Sequence, residues 1–410
     1  MELSVQGGLT KEAITLRYLF FTFFKIGCVS FGGHMALVSL IQTIMVDQDK
    51  SIDNELVLDS VTVASFMPGP MAVNVVANIG YTLKGKLGAI ISMFAVLLPA
   101  CLLILCLAYI YFSNGFKIEW TSVMAYVGVT IGIIIFSTGL QLFRKEIAFN
   151  YSKIALFLLA VTLDLLAGSY ILTIVLMLVG AIGGLLIDRQ KNNYKAILGG
   201  PKMKYKLRLS PVSLSVLVVL FVNQVLFVSG FFKSYPNIFL KIGTVFSGIS
   251  ISLFGGGYVI IPIMQSLFVK DLNWLNTKQF IDAIAFSQIT PGPILVSSTF
   301  IGYKLAGFSG ALLATCCMFL PAAALMIMIF KIFSRTKDHP LIKSMIGGIK
   351  VVVIGLIISS AFKILLMQPR TFLVCAVAII AFVLSFKYKL SPVYLILGAI
   401  LFGILTTFIS

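Results

Sequence analysis

The sequence predicts an all-α polytopic membrane protein made of two inverted-topology repeats with broken or re-entrant helices, about 10–13 transmembrane segments in all. Three observations predict it. Of the 410 residues, 59% are hydrophobic and 11% charged, more apolar surface than a soluble fold can bury. The apolar residues fall into long runs joined by brief polar connections. Two of those runs are broken by the same tripeptide, Pro-Gly-Pro, at positions 68–70 and 291–293.

The N-terminus opens polar (M-E-L-S-V-Q-G-G-L-T-K-E) and lacks the layout of a cleaved signal, so the first apolar run is expected to be retained. At about 20 apolar residues per span, thirteen segments follow: 16–46 (long and broken), 60–83, 88–112, 121–141, 154–168, 170–187, 211–232, 237–269, 283–303, 308–333, 341–366, 371–386 and 391–409. The longest polar stretch, Asp188–Ser210, carries seven basic residues against Asp188. It divides the chain into a first module (1–187), a basic loop plus linking segment (188–236) and a second module (237–410).

The formal charge of +17 is read as cytoplasmic loops rather than a nucleic-acid surface. With a cytoplasmic N-terminus, Lys84, Lys86, Arg144–Lys145, the 188–210 loop, Arg335–Lys337 and Lys387–Lys389 fall inside. The acidic loop Asp47, Asp49, Asp53, Glu55 and the C-terminus then fall outside.

An internal repeat underlies the two tripeptides. At a shift of 223, Phe23 pairs with Phe246, Phe31-Gly32-Gly33 with Phe254-Gly255-Gly256, Gln42 with Gln265, Asp59 with Asp282, and Pro68-Gly69-Pro70 with Pro291-Gly292-Pro293. At 222, Gly80-Tyr81 pairs with Gly302-Tyr303, Gly85 with Gly307, Gly88-Ala89 with Gly310-Ala311, and Pro99-Ala100 with Pro321-Ala322. An odd number of segments, seven, separates partners, so the modules are expected to face opposite ways. Paired broken helices in inverted repeats are the architecture of secondary transporters.

Proline is welcome at the first position of a helix, so Pro70 and Pro293 can start half-helices whose N–H groups and dipoles form an anion site inside the membrane. Gly69 and Gly292 allow a tight turn or close approach of a ligand. Met71 and Asn74 in one module, and Ile294, Ser297 and Thr299 in the other, would line it, with Asn78, Ser298, Thr290 and Gln288 as further donors. A plain proline kink explains one copy; a matched pair favours a site. Gly32, Gly33, Gly255 and Gly256 are expected in unwound strips facing the same cavity, against the alternative of close helix packing. His34, where the second copy has Gly257, is a titratable candidate or a packing residue.

Asp59 and Asp282 stand at matched positions nine residues before each Pro-Gly-Pro, as helix caps or proton carriers. Lys25 and Lys350 could neutralise an anion or snorkel to the interface. Asp164, near a span end, is expected at the interface. The six cysteines sit in apolar runs without Cys-x-x-Cys spacing, and two histidines are too few for a histidine metal site. No nucleotide-binding loop and no Ser-His-Asp set are present. No cofactor and no enzymatic activity are expected. An anion channel and, with less support, a membrane-embedded enzyme are the other readings.

W-L-N-T-K-Q-F-I-D-A-I-A-F-S-Q-I-T-P-G-P at 274–293, followed by F-I-G-Y-K-L-A-G-F-S-G-A, F-L-P-A and, upstream, F-G-G-G-Y-V-I-I-P-I-M-Q, resembles the chromate ion transporter family. F-K-I-G-C-V-S-F-G-G in the first module keeps the pattern, while H-M-A-L-V-S-L-I-Q departs from it. The resemblance covers nearly the whole chain, as two fused modules. It implies transport of chromate, or sulfate as its mimic, across the plasma membrane, as efflux energised by membrane potential or a proton gradient. The implied partners are the oxyanion and the bilayer, with a coupling proton and a homodimer left open.

Overall fold

The computed structural model describes residues 14–30, 34–113, 121–147, 150–167, 170–190, 211–252, 260–336 and 340–409. Among them run fifteen α-helices and no strand: α1 (Leu16–Val29), α2 (His34–Ile41), α3 (Asn54–Phe66), α4 (Met71–Ser113), α5 (Thr121–Glu146), α6 (Tyr151–Leu166), α7 (Tyr170–Gln190), α8 (Pro211–Val228), α9 (Ile238–Ser252), α10 (Ile260–Met264), α11 (Thr277–Ile289), α12 (Ser297–Thr336), α13 (Pro340–Leu366), α14 (Phe372–Phe386) and α15 (Pro392–Ile409). The chain is an all-α polytopic membrane protein. Among the described residues, Met71–Ser113, Ala125–Glu146, Ile294–Met328 and Lys343–Leu366 are long and apolar enough to cross a bilayer, and six shorter apolar helices accompany them.

The chain folds into two compact units, each drawing on both sequence modules. The first takes its residues from 1–117, 234–257 and 286–334, the second from 118–233, 258–285 and 335–410.

In the first unit, α4 has 43 residues. At about 1.5 Å per residue it would run twice the thickness of a bilayer core. It does not, because the helix breaks at Lys84 (φ −139°) and Gly85 (φ 62°) and doubles back. The two arms touch through glycine: a Cβ on Gly80 would lie 2.5 Å from the Gly88 carbonyl oxygen, and one on Gly88 2.2 Å from that of Gly80. α12 repeats the device, breaking at Ala306 and Gly307 (φ 60°), with Gly302 and Gly310 in the same relation at 2.3 Å each way.

The first arm of α4 is folded against α3. Asn78 Nδ2 donates to Ser60 Oγ at 2.8 Å, and these residues lie nine positions either side of Gly69. Segment 60–83 is therefore a hairpin with Pro-Gly-Pro at its tip, not a crossing. Segment 16–46 also returns. Tyr18 Oη, at the start of α1, donates to Asp49 Oδ2 at 2.6 Å and lies 2.9 Å from Ser51 Oγ. The acidic loop consequently shares one end of the unit with Lys84–Lys86, contrary to the expectation that it lies across the membrane from them.

The second hairpin enters from the other end. α4's second arm leaves Gly85 and reaches Tyr111 and Phe112, whose rings meet Phe286 and Phe300 (5.9 and 5.3 Å) and Tyr303 (6.2 Å). Phe286 and Phe300, on the two arms of that hairpin, lie 5.7 Å apart. The Gly307 turn is therefore at the end opposite Gly85, which is the inversion the repeat predicts. Finer backbone details repeat as well. Seven-residue π-helical turns follow α2 (Gln42–Gln48) and α10 (Gln265–Asp271), and left-handed residues occur at Lys50 (φ 48°) and Asn273 (φ 51°).

The second unit is a bundle in which α13 packs on α5, α6 and α7. Small residues set the spacing: a Cβ on Gly348 would lie 1.9 Å from the Gly180 carbonyl oxygen, and one on Gly184 2.1 Å from that of Ser344. α14 and α15 lie against α5, with Ser385 Oγ donating to Ser137 Oγ at 2.9 Å and the Arg144 guanidinium 4.6 Å from the Phe386 ring centre.

Candidate functional site

Both Pro-Gly-Pro tips belong to the first unit. At each, the glycine takes a positive φ (100° at Gly69, 121° at Gly292) that a side chain would resist. The following proline opens the next half-helix: Pro70 accepts from Asn74 N at 2.9 Å, and Pro293 from Val296 N at 3.0 Å, the latter through a 3₁₀ turn at Ile294–Val296. The N–H groups of the first turns, Met71–Val73 and Ile294–Leu295, thus have no carbonyl one turn back.

The glycines are pressed against the other repeat. A Cβ on Gly69 would lie 2.0 Å from Ala322 Cβ, and one on Gly292 3.1 Å from Ala100 Cβ. The Gly292 N–H also donates to the Ser30 carbonyl at the end of α1, at 3.0 Å. Close approach at these glycines is therefore backbone against alanine. Unpartnered polar groups lie one turn further on.

There, Asn74 donates through Nδ2 to the Pro68 carbonyl at 3.0 Å, tying the tip closed, while its Oδ1 is buried without a partner. The Oδ1 of Asn78 and the hydroxyls of Ser297 and Ser298 are likewise buried and unpartnered. Unpaired polar groups are costly at such burial, so each is free to bond a water or a ligand. The rotatable hydroxyls and the first-turn N–H groups can donate to an anion; the amide oxygens can accept from its proton or its water.

Other expected residues are elsewhere. Thr299, on the same helix, spends its hydroxyl on Thr315 at 2.7 Å. It borders a cavity of about 180 Å³ lined by α4 and α12, whose walls are apolar apart from the hydroxyls of Thr299 and Thr315 and the sulfurs of Met93, Cys101 and Cys316. Such walls suit no dianion. Met71 is half-buried and Ile294 buried. Gln288, half-buried, stands just before Thr290, whose hydroxyl donates to the Phe286 carbonyl at 3.0 Å.

Lys25 is exposed on α1, and Lys350 lies in the second unit, paired with Glu146 at 3.5 Å. Asp59 is half-buried in the first unit, and Asp282 is buried in the second. Gly32, Gly33, Gly255 and Gly256 lie outside the described residues, as does the side chain of His34, which begins α2.

Asp164 lies near the end of α6, as expected, but is not exposed there. It is fully buried and bound to Ser359 and Lys363 of α13, because α13 packs a polar face against the end of α6. Sequence reasoning passed over Lys363 in a long apolar run. It also left Ala100 and Ala322 without a role, although their repeat match carried the signal.

A family model for the chromate transporter matches residues 17–185 and 240–404. The chain is similar to an uncharacterized transporter of Methanocaldococcus jannaschii, 27% identical over 94% of this chain and 93% of that protein. It is similar to a probable chromate transport protein of Synechococcus elongatus, 27% identical over 95% of each chain. A chromate transport protein of Cupriavidus metallidurans is 26% identical over 96% of this chain and 94% of its own. No solved structure matches the chain.

Proposed function

The chain belongs to the chromate transporter family, and from that premise we propose that it is a secondary active transporter of chromate or a related tetrahedral oxyanion such as sulfate. The observation that carries the reading is the pair of Pro-Gly-Pro tips, which share one unit and place buried, unpartnered Ser297, Ser298 and Asn74 within the first turn or so of the helices they open, with Asn78 one turn beyond Asn74. A dianion needs several donors at once inside a membrane, and helix ends with hydroxyls supply them without a fixed cation.

Export from a cell that is negative inside is downhill by about 2.3 kcal/mol per charge per 100 mV, so efflux along the potential needs no nucleotide. The reading puts the protein in the plasma membrane with a cytoplasmic N-terminus and an external C-terminus. With the two early hairpins counted as returns, Lys84, Lys86, Arg144–Lys145 and Arg335–Lys337 still fall on the N-terminal side. The domain division at 188–236 remains that of two fused modules, each supplying one hairpin.

Purified protein in liposomes, assayed for chromate, sulfate and phosphate flux under imposed potentials, tests this. The expected result is saturable flux of a tetrahedral oxyanion with counter-flow, weakened in Ser297→Ala and Ser298→Ala. Non-saturable flux without counter-flow would instead make the protein a channel, and no oxyanion flux at all would overturn the reading.

A further inference from the structure

The second unit holds a charged cluster that the hairpin site does not use. Asp164, near the C-terminal end of α6, is fully buried. Its Oδ2 accepts both from Ser359 Oγ, at 2.6 Å, and from the Lys363 ammonium. Ser359 and Lys363 are four residues apart, on one face of α13. The other oxygen, Oδ1, is buried with no hydrogen-bond partner. The Lys363 side chain is 12% exposed, so the cation has a route out that the carboxylate lacks.

A structural pin would be built differently. Well-packed apolar residues hold two helices as firmly as a buried ion pair, and without its desolvation cost. A pin would also engage both carboxylate oxygens, whereas here both donors crowd one. Ionisable residues within apolar helices of membrane proteins commonly mark ion and proton paths.

The other titratable groups on the packed elements include Tyr126 near the start of α5 and, in the π-helical turn after α10, Lys270 and Asp271. Lys270, in the π-helical turn after α10, is close enough to act on Lys363 electrostatically. On α6, Tyr151 and Lys153 are about three turns or more away, at the end where Lys153 Nζ donates to the Glu146 carbonyl. Lys343 and Lys350 on α13, and Arg144, Lys145 and Glu146 on α5, belong to that same distant end, as the Lys350–Glu146 pair shows. α7 carries Tyr170 at its first position and Asp188–Arg189 near its last, and α10 carries no titratable residue.

We propose that Asp164 is a proton-binding site, with Oδ1 the atom that takes the proton and Lys363 the cation that the ionised carboxylate holds. Proton uptake forms an O–H bond at Oδ1 and discharges the carboxylate. Lys363 keeps its proton and loses its counter-charge. The second unit then carries one more uncompensated positive charge, and on the oxyanion reading above the flux is expected to depend on the protonation of this carboxylate.

The test separates the two readings. Infrared difference spectra of the purified protein between alkaline and acid pH should contain, beside the bands of the exposed acids, a further protonated-carboxyl band that is lost in Asp164→Asn and kept in Asp59→Asn and Asp282→Asn. Because Asp164→Asn strands Lys363 and can fail to fold, the neutral pair Asp164→Asn with Lys363→Met is measured beside it and should lose the same band. In liposomes, chromate flux through the neutral pair should lose the pH dependence of the unaltered protein. A band retained in the neutral pair overturns the proton site. An unchanged pH profile of flux overturns its coupling. Absence of any oxyanion flux from the unaltered protein overturns the transport reading alone, since the spectra do not depend on it.

Discussion

Gly69 of the first repeat sits on Ala322 of the second so closely that a Cβ on the glycine would lie 2.0 Å from the alanine's. The converse pair, Gly292 and Ala100, meets at 3.1 Å. Each hairpin tip is thereby seated on the long helix of the other repeat, next to its proline. Two half-helices that end at membrane depth expose backbone that lipid cannot satisfy. Seating them on each other's neighbouring spans removes that exposure and fixes where the helix starts point.

Gly69→Ala is expected to destabilise the protein by about 1–3 kcal/mol through overpacking and the positive φ. Adding Ala322→Gly should recover the packing part. Gly243→Ala, at a helical position with nothing within 4 Å, should change stability by about 1 kcal/mol or less, in the favourable direction. Thermal unfolding of the purified variants reads all three. Side chains at Gly69 and Gly292 therefore report on assembly first, and the serines are the better probes of ligand.

Ser297→Ala and Ser298→Ala remove hydroxyls that no protein group needs. Stability should change little, while each lost hydrogen bond to a charged ligand weakens oxyanion binding by about 1.5–3 kcal/mol. Thr299→Ala, whose hydroxyl is held by Thr315, should leave affinity near that of the unaltered protein. Equilibrium binding of chromate or sulfate to the purified variants measures this, and equal losses at all three positions would contradict it.

Removing one member of the Asp164–Lys363 pair leaves a buried uncompensated charge. Lys363→Met alone is expected to cost about 3–5 kcal/mol, and Lys363→Met with Asp164→Asn markedly less. Unfolding temperatures of the two variants, compared at equal protein concentration, decide it.

Cysteines placed at Asp53 and Lys86, in a chain lacking its six native cysteines, should react with an impermeant thiol reagent from the same side of the membrane. Both positions are exposed and lie at one end of the first unit. A cysteine at Ser309, beside the Gly307 turn, should react from the opposite side. Labelling of positions 53 and 86 from opposite sides would show that the hairpin crosses after all.

By itself the sequence determined the solvent and the symmetry of this protein. Its composition excludes a soluble fold, and the repeat, at a shift of 223 and then 222, carries the Pro-Gly-Pro breaks and the Gly85 and Gly307 turns into both halves, because those follow from local glycine and proline chemistry. Only the tertiary structure decided which apolar runs cross. A hairpin of two half-helices and one span have the same hydropathy, and they differ only in whether Ser60 meets Asn78 across a turn. The structure likewise decided that Gly69 and Gly292 face alanines rather than open space, and that Asp164 finds Lys363, residues 199 positions apart. Such pairings are invisible in sequence because burial and charge compensation belong to the helix face that packs, and α13 meets α6 through Gly355 against Phe157 and Ala160, contacts made by residues far apart in the chain.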